Sequence, residues 1–385
     1  MAEGSIGRAV ALYAALYGGY GALSPFLPAT LASRGFEASQ IGTLLAAAML
    51  VRLVAGPPTG RFADRHAAVR GVLALGLAAS GGLTLALLGS GSVAVLVVLV
   101  LIQAAASAAL SPLADALMLS VRNGGAAYGR IRGAGSAAFI VTTVLTGWLV
   151  SRLGDGAGLA VCAVLFGAAA LTTLRFAPTS SSVTGGAAGG FRALLAIGVF
   201  RRLVLAAALV IGAHAMHDAF AVIAWTGVGI GTGAAGLLWA EAVAAEVFVF
   251  LWLGPRLLDR IGPARALELA ALAGALRWAV QAQTTWLPAL VAIQALHGLT
   301  FALLHLACLR IVARAVPEGL RATALTVYGS FGLGLASALV TLAAGPLYGR
   351  LGLPAFWAMS GLSLLAVPVA YRLRRDSRQD KAGHI

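Results

Sequence analysis

The sequence predicts an all-α integral membrane protein of twelve spans, arranged as two six-helix pseudo-repeat halves. Three observations predict it. First, 60% of the 385 residues are hydrophobic and only 10% are charged, where a soluble domain carries about 25% charged residues. A single soluble core stops growing near about 250–300 residues, so water is a poor solvent for this much apolar surface. Second, apolar runs of about 20 residues, the length that crosses a bilayer, recur until they use nearly the whole chain. Third, the least apolar stretch, Pro178–Arg202, divides those runs six and six.

The expected spans are 9–32, 40–61, 70–89, 93–120, 130–151 and 157–177, then 203–228, 233–256, 265–284, 287–313, 323–348 and 354–373. Ser39 ahead of Ile41 reads as a helix N-cap, and Pro317 falls in a connection. The first run is too long for a cleaved signal core and is taken as span 1. Between the halves, Thr179-Ser180-Ser181-Ser182 and Gly185-Gly186-Ala187-Ala188-Gly189-Gly190 have the composition of a flexible linker. Phe191–Phe200 reads as a short interfacial helix. The expected organisation is therefore 1–177 for the first half, 178–202 for a cytoplasmic linker, and 203–385 for the second half with a short basic tail.

The formal charge of +14 would point to nucleic acid in a soluble chain. Here the basic residues lie between apolar runs, where Arg and Lys mark cytoplasmic loops. Only Arg34, Arg152 and Arg350 fall on the opposite side, and Arg52 and Arg277 fall inside spans. Both termini are expected in the cytoplasm, in a multi-pass cell (inner) membrane protein with no nucleic-acid partner. Cys162 and Cys308 sit in apolar runs and read as small buried hydrophobes. No metal, no cofactor and no enzymatic site is expected, since no nucleophile–base pair, ligand spacing or phosphate loop stands out.

The loop after span 2 reads Gly60-Arg61-Phe62-Ala63-Asp64-Arg65, and the loop after span 8 repeats it as Gly254-Pro255-Arg256-Leu257-Leu258-Asp259-Arg260. One motif at equivalent places in two six-span halves is what duplicated transporter halves produce. Gly60 is expected to let helices approach closely. Asp64 with Arg65, and Asp259 with Arg260, are expected to form charge-assisted gating contacts that break on a change of state.

An ionisable residue within a span costs about 2.5–3.5 kcal/mol at the helix centre and is a functional candidate by default. At about 1.5 Å per residue, Glu246, Arg277 and His297 each lie roughly 15–20 Å from the start of their spans, at one mid-bilayer depth. They form either a proton relay or a static charge cluster that fixes packing. His297, Phe301 and His305 recur every four residues on one face, and imidazole suits proton exchange. His214, His217 and Asp218, continued by Ala221 and Trp225, read as a cavity wall on span 7. Asp115 of span 4 and Arg132 of span 5 fall in the same half of the membrane. They can pair to hold a substrate or serve as a structural ion pair. Tyr13, Tyr17, Tyr20 and Ser24 line one face of span 1, as core or as a stacking wall for a ring. Arg52 is free to neutralise either Asp218 or an anionic substrate.

Several stretches together resemble the phenylpropionic-acid-transporter-like branch of the major facilitator superfamily, related to lactose permease. They are Ser111-Pro112-Leu113-Ala114-Asp115-Ala116-Leu117, Tyr128-Gly129-Arg130-Ile131-Arg132 with Gly135–Phe139, Gly212-Ala213-His214-Ala215, Val243–Val247, Arg277-Trp278, and Gln294–His297 through His305. The resemblance covers nearly the whole chain. It implies proton-coupled uptake by alternating access. It implies that Asp115 and Arg132 contact the substrate, that Phe139 stands where a sugar-stacking Trp stands in the permease, and that Arg277, His297 and Glu246 match its span-9 Arg, span-10 His and span-8 acid. Two departures follow. The permease's proton-carrying Glu is Thr300 here, and its span-7 acids are replaced by His214 and His217. Ala67–Val69 also stand where the family motif has Gly and more basic residues.

The expectation is thus a monomeric proton-coupled symporter for a small, aromatic-acid-like organic solute. Proton coupling is expected from Glu246, His297, Arg277 and His305, and substrate binding from Asp115, Arg132, Phe139, Tyr17, Tyr20, His214 and Asp218. The alternatives are a sugar or nucleoside proton symporter, a drug or metabolite exporter, and a non-transporting membrane sensor.

Overall fold

The structure, a computed structural model, describes residues 2–119, 124–177 and 190–382. Eleven of its helices are long and apolar enough to cross a membrane: α1 Ile6–Ser33, α2 Ala38–Arg65, α3 Val69–Gly89, α4 Val93–Met118, α5 Tyr128–Leu153, α6 Gly156–Thr173, α7 Gly198–Gly227, α8 Thr232–Ile261, α10 Leu287–Ala315, α11 Glu318–Leu351 and α12 Leu353–Arg375. The helix expected as span 9 is present as α9, Pro263–Gln281. It falls short in hydropathy because it carries Arg265, Glu268 and Arg277. Its charge is compensated inside the protein: Glu268 pairs with Arg374 of α12 at 3.2 Å, and Leu267, Ala270, Ala271 and Trp278 are buried. Among the described residues, length and composition alone support eleven spans, and α9 stands where the remaining expected span was placed.

The protein is inside-out relative to a soluble fold. Val54, Leu75, Leu153 and Val164 are at least 70% exposed, whereas Arg277 is fully buried. That inversion is what a hydrocarbon solvent imposes.

The chain divides into two compact units. One comprises Met1–Thr184 and Val222–Ala240, and the other Gly185–Ala221 and Glu241–Ile385. Most of the expected linker, 178–189, lies outside the described residues. Beyond it a short helix, Gly190–Ala196, forms where the interfacial helix was expected. In the first unit, small residues bring backbones together. Thr142 donates to the Gly18 carbonyl at 2.9 Å, and Thr143 to that of Gly21 at 3.0 Å. Thr232 of α8 donates to the Gly147 carbonyl of α5 at 3.1 Å. A Cβ on Gly236 would lie 2.9 Å from the Thr143 carbonyl oxygen. This contact explains why the start of α8 groups with α5.

In the second unit a continuous core of Phe200, Leu203, Val210, Leu267, Leu303, Leu304 and Tyr328 packs α7, α9, α10 and α11. Ser360 of α12 donates to the Ala275 carbonyl at 2.8 Å. Three π-helical segments interrupt the spans of this unit: Val249–Leu253 in α8, Gly298–Leu303 in α10 and Tyr328–Leu335 in α11.

α2 ends in a paired-carbonyl C-cap. The Ala68 N–H reaches the Ala63 carbonyl at 2.8 Å and the Ala67 N–H that of Asp64 at 3.2 Å. This is the Schellman arrangement, whose C′ position is left-handed and normally glycine. Here it is Ala67, at φ 49°. The departure from the family motif noted in the sequence is thus a strained turn, since a left-handed alanine costs about 1–2 kcal/mol. Replacing Ala67 with Gly is expected to stabilise the protein by about 1 kcal/mol, read as a raised midpoint in denaturant or thermal unfolding of the detergent-solubilised protein.

Candidate functional site

The second unit holds a buried polar chain. Arg277 is rigidly set: its Nη2 donates to Gln294 Oε1 at 2.5 Å, its Nη1 faces His297 Nδ1 at 2.9 Å, and its guanidinium lies 4.4 Å from the Trp278 ring centre. A guanidinium can only donate. His297 Nδ1 must therefore accept, which places the imidazole proton on Nε2. That nitrogen faces Glu246 Oε2 at 3.5 Å. The three groups that depth alone aligned thus stand in one line of polar contacts. Asp218 acts electrostatically on Arg277 and is exposed, unlike its neighbours.

His214 joins the same cluster. Its Nδ1 donates to the Val210 carbonyl at 2.9 Å, and its Nε2 faces the Thr300 hydroxyl at 2.9 Å. Its ring meets Trp278 and His297 edge-on at 5.2 and 5.3 Å. Thr300 therefore fills the place of the acid in the resembling permease with a hydroxyl that satisfies a histidine. The expected cavity wall along α7 is corrected: His214, His217, Ala221 and Trp225 are all buried, because that face packs within the protein, and only Asp218 is exposed.

His297 and Phe301 stack, with ring centres 5.5 Å apart and planes at 18°. His305 is held by the Tyr328 hydroxyl at 3.0 Å and by the edge of Phe250, and Glu246 acts on it electrostatically. Each π segment borders one of these groups: Val249 follows Glu246 by three residues, Gly298 follows His297 directly, and Tyr328 opens the third. Wide turns of this kind recur at functional sites because they re-aim side chains. The spacing between α8 and α10 is set by Gly298, where a Cβ would lie 2.5 Å from the Ala245 carbonyl oxygen.

The first unit holds a second polar cluster built on α1. Asp115 accepts from the Tyr13 hydroxyl and, at 3.1 Å, from that of Tyr128. Arg132 hydrogen-bonds the Tyr17 hydroxyl and sits 4.6 Å from its ring centre. Among the described residues no ion pair joins Asp115 to Arg132. Two tyrosines one helical turn apart reach both groups first. Tyr13 and Tyr17 stack at 5.8 Å, Tyr17 meets Tyr20 edge-on at 6.0 Å, and Tyr20 meets Phe166 at 5.5 Å. Arg52 and Tyr20 influence each other electrostatically, while Phe139 is half-buried two turns along α5 from Arg132.

The motif residues end their helices as expected, with Asp64 and Arg65 in the last turn of α2. Asp259 pairs with Arg310 of α10 at 2.5 Å, and Arg260 lies in the last turn of its helix. Gly60 corrects the expectation of a close helix approach, since a Cβ there meets open space. It is the second copy that lies close to a neighbouring helix: a Cβ on Gly254 would lie 2.7 Å from the Leu306 side chain of α10.

Gln294, Trp278, Tyr328 and Tyr128 were not singled out as site residues from the sequence. A polar Gln inside an apolar run was the available signal for the first. Tyr128 adjoins the Gly129-Arg130-Ile131-Arg132 run.

Known proteins bear on this geometry. The chain is 34% identical over 250 residues to the "Probable 3-phenylpropionic acid transporter" of Escherichia coli (strain K12), a match spanning 63% of this chain and 64% of that protein. It is 30% identical over 347 residues to the "Maltose permease" of Geobacillus stearothermophilus, spanning 88% and 86% of the two chains. Its fold superposes on the crystal structure of the nucleoside transporter NupG with a TM-score of 0.81 at 16% identity, covering 96% of this chain and 98% of the other. These relatives are transporters rather than enzymes. Residues 8–359 match the MFS_1 like family, and the chain belongs to that family, within the major facilitator superfamily.

Proposed function

We propose that this protein is a proton-coupled secondary transporter that takes up a small, aromatic-acid-like organic solute by alternating access. The observation that carries the reading is the line from the buried Arg277 through the half-buried His297 to the half-buried Glu246. A permanent cation, a titratable ring and a carboxylate in hydrocarbon are too costly to keep idle. In this reading Glu246 carries the proton, and His297 couples its charge state to Arg277. His305, tied to Tyr328, extends the path. Asp115, Arg132, Phe139, Tyr17 and Tyr20 hold the solute, with Asp218 and the Arg52 guanidinium as further charged groups. His214 joins the coupling groups in this reading, supported by its ring contact with His297, although the sequence suggested a substrate contact. The motif pairs around Asp64, Arg65, Asp259 and Arg260 gate the change of state. α9 is the twelfth span, so both termini lie on one side, the cytoplasmic one by the distribution of arginine.

The name of the Escherichia coli relative supports an aromatic acid, and Arg132 and Arg52 suit a carboxylate. The tyrosine ladder of α1, with the maltose permease relative, supports a second reading: a sugar proton symporter whose ring stacks on tyrosine. Competition of labelled uptake by a panel of aromatic acids and sugars separates the two.

In proteoliposomes, Glu246→Gln is expected to abolish accumulation driven by a pH gradient while sparing solute exchange at equilibrium. Accumulation retained at the wild-type level would remove Glu246 from the coupling step. Gly298→Ala drives a methyl into the Ala245 carbonyl and pulls His297 from Glu246. Uptake is expected to fall by about 100-fold, the usual penalty for a misplacement of about 1 Å. Gly329→Ala, where a Cβ meets open space, should leave uptake unchanged in the same assay.

A further inference from the structure

α3 and α6 enclose an apolar groove on the first unit, about 610 Å³ in volume, running from Gly71 and Leu174 at one end to Leu85 and Ala163 at the other. From Gly71 to Leu85 the groove spans about 21 Å at 1.5 Å per residue. That exceeds one leaflet of a hydrocarbon core about 30 Å thick, so an extended acyl chain fits it.

Its glycines are of two kinds. Gly81 serves helix packing, with a Cβ site 3.2 Å from the Ala163 carbonyl oxygen. Gly71, Gly82 and Gly167 serve none, because nothing lies within 4 Å of where a Cβ would be. Glycine inside a helix is less stable than alanine. Packing therefore does not account for these three, and their effect is to keep the groove open.

The Gly71 end is positively charged. Arg70 donates to the Phe176 carbonyl at 2.8 Å, and Arg8 donates to the Arg175 carbonyl at 2.7 Å. Two guanidiniums thus converge on carbonyls just past the end of α6. The Arg175 side chain itself is exposed, next to the groove-lining Leu174. A chain-length apolar slot that ends at clustered guanidiniums is complementary to one molecule class in a membrane: a phospholipid whose headgroup carries a net negative charge.

We propose that the α3–α6 groove is a specific site for an anionic glycerophospholipid. One acyl chain lies over Gly71, Gly82 and Gly167, and the phosphate lies at Arg175 with Arg70 and Arg8 behind it. The test is native mass spectrometry of the delipidated full-length protein, titrated with dioleoyl phosphatidylglycerol or dioleoyl phosphatidylcholine. The wild type is expected to retain one phosphatidylglycerol roughly fivefold better than phosphatidylcholine, the factor one guanidinium near the headgroup supplies. Arg175→Gln should abolish that preference and leave phosphatidylcholine retention unchanged. Gly82→Leu and Gly167→Leu, which fill open space, should reduce retention of both lipids while leaving the thermal unfolding midpoint in place. Equal retention of the two lipids by the wild type would overturn the proposal. So would undiminished phosphatidylglycerol retention in both leucine variants. A dimer that either leucine variant dissociates would do the same, by assigning the groove to a second copy of the chain.

Discussion

The second unit is organised around one constraint: a guanidinium that cannot lose its charge is fully buried in a protein whose solvent is hydrocarbon. Arg277 has 0% exposure. Such a group survives only if its donors and its charge are answered locally. Gln294 answers one nitrogen, His297 another, the Trp278 face accepts the cation, and Asp218 acts on it electrostatically. These groups come from α7, α9 and α10, so surrounding Arg277 ties the placement of those three spans together. Once His297 is pinned by Arg277, its other nitrogen is aimed, and Glu246 on α8 is drawn into the same assembly.

Much of the fold was legible because hydrophobic length is a coarse and robust signal. The expected spans overlap the observed helices throughout, with ends shifted by a few residues. α9 shows the limit. Its hydropathy is diluted by Glu268 and Arg277, and only tertiary contacts, Arg374 for the first and the polar cluster for the second, reveal why those charges are tolerated. Ala67 shows a different limit. The sequence showed that a glycine was missing from the motif, but not that the alanine had been forced into the left-handed turn that the glycine would have occupied.

The site was legible by depth and illegible by rotation. Counting residues along each span put Glu246, Arg277 and His297 at one level, and the structure joins them. Counting by fours also put His305 on the face of His297. The π segment Gly298–Leu303 intervenes, and His305 is held by Tyr328 and Phe250 while Glu246 still acts on it. The Asp115–Arg132 pair failed for another reason. Two charges that can reach each other need not do so when phenolic hydroxyls stand closer. Tyr13 and Tyr17 take one group each, and hydrogen bonding to neutral partners leaves both charges available to a third.

The direction of the hydrogen bonds in the Arg277 cluster carries a mechanistic consequence. His297 Nδ1 is committed as an acceptor, because Arg277 offers only donors. The ring proton is therefore held on Nε2, toward Glu246. An ionised Glu246 faces it as an acceptor across the 3.5 Å contact. A protonated Glu246 keeps a carbonyl oxygen that can still accept from Nε2, but that oxygen carries no full charge, so the 3.5 Å contact loses its charge assistance. In the proposed reading, one proton at one carboxylate thus weakens the link between α8 and α10 without any change in Arg277. The π turns beside both residues, and the glycine that sets their spacing, lie where a backbone that must accommodate both arrangements would need compliance.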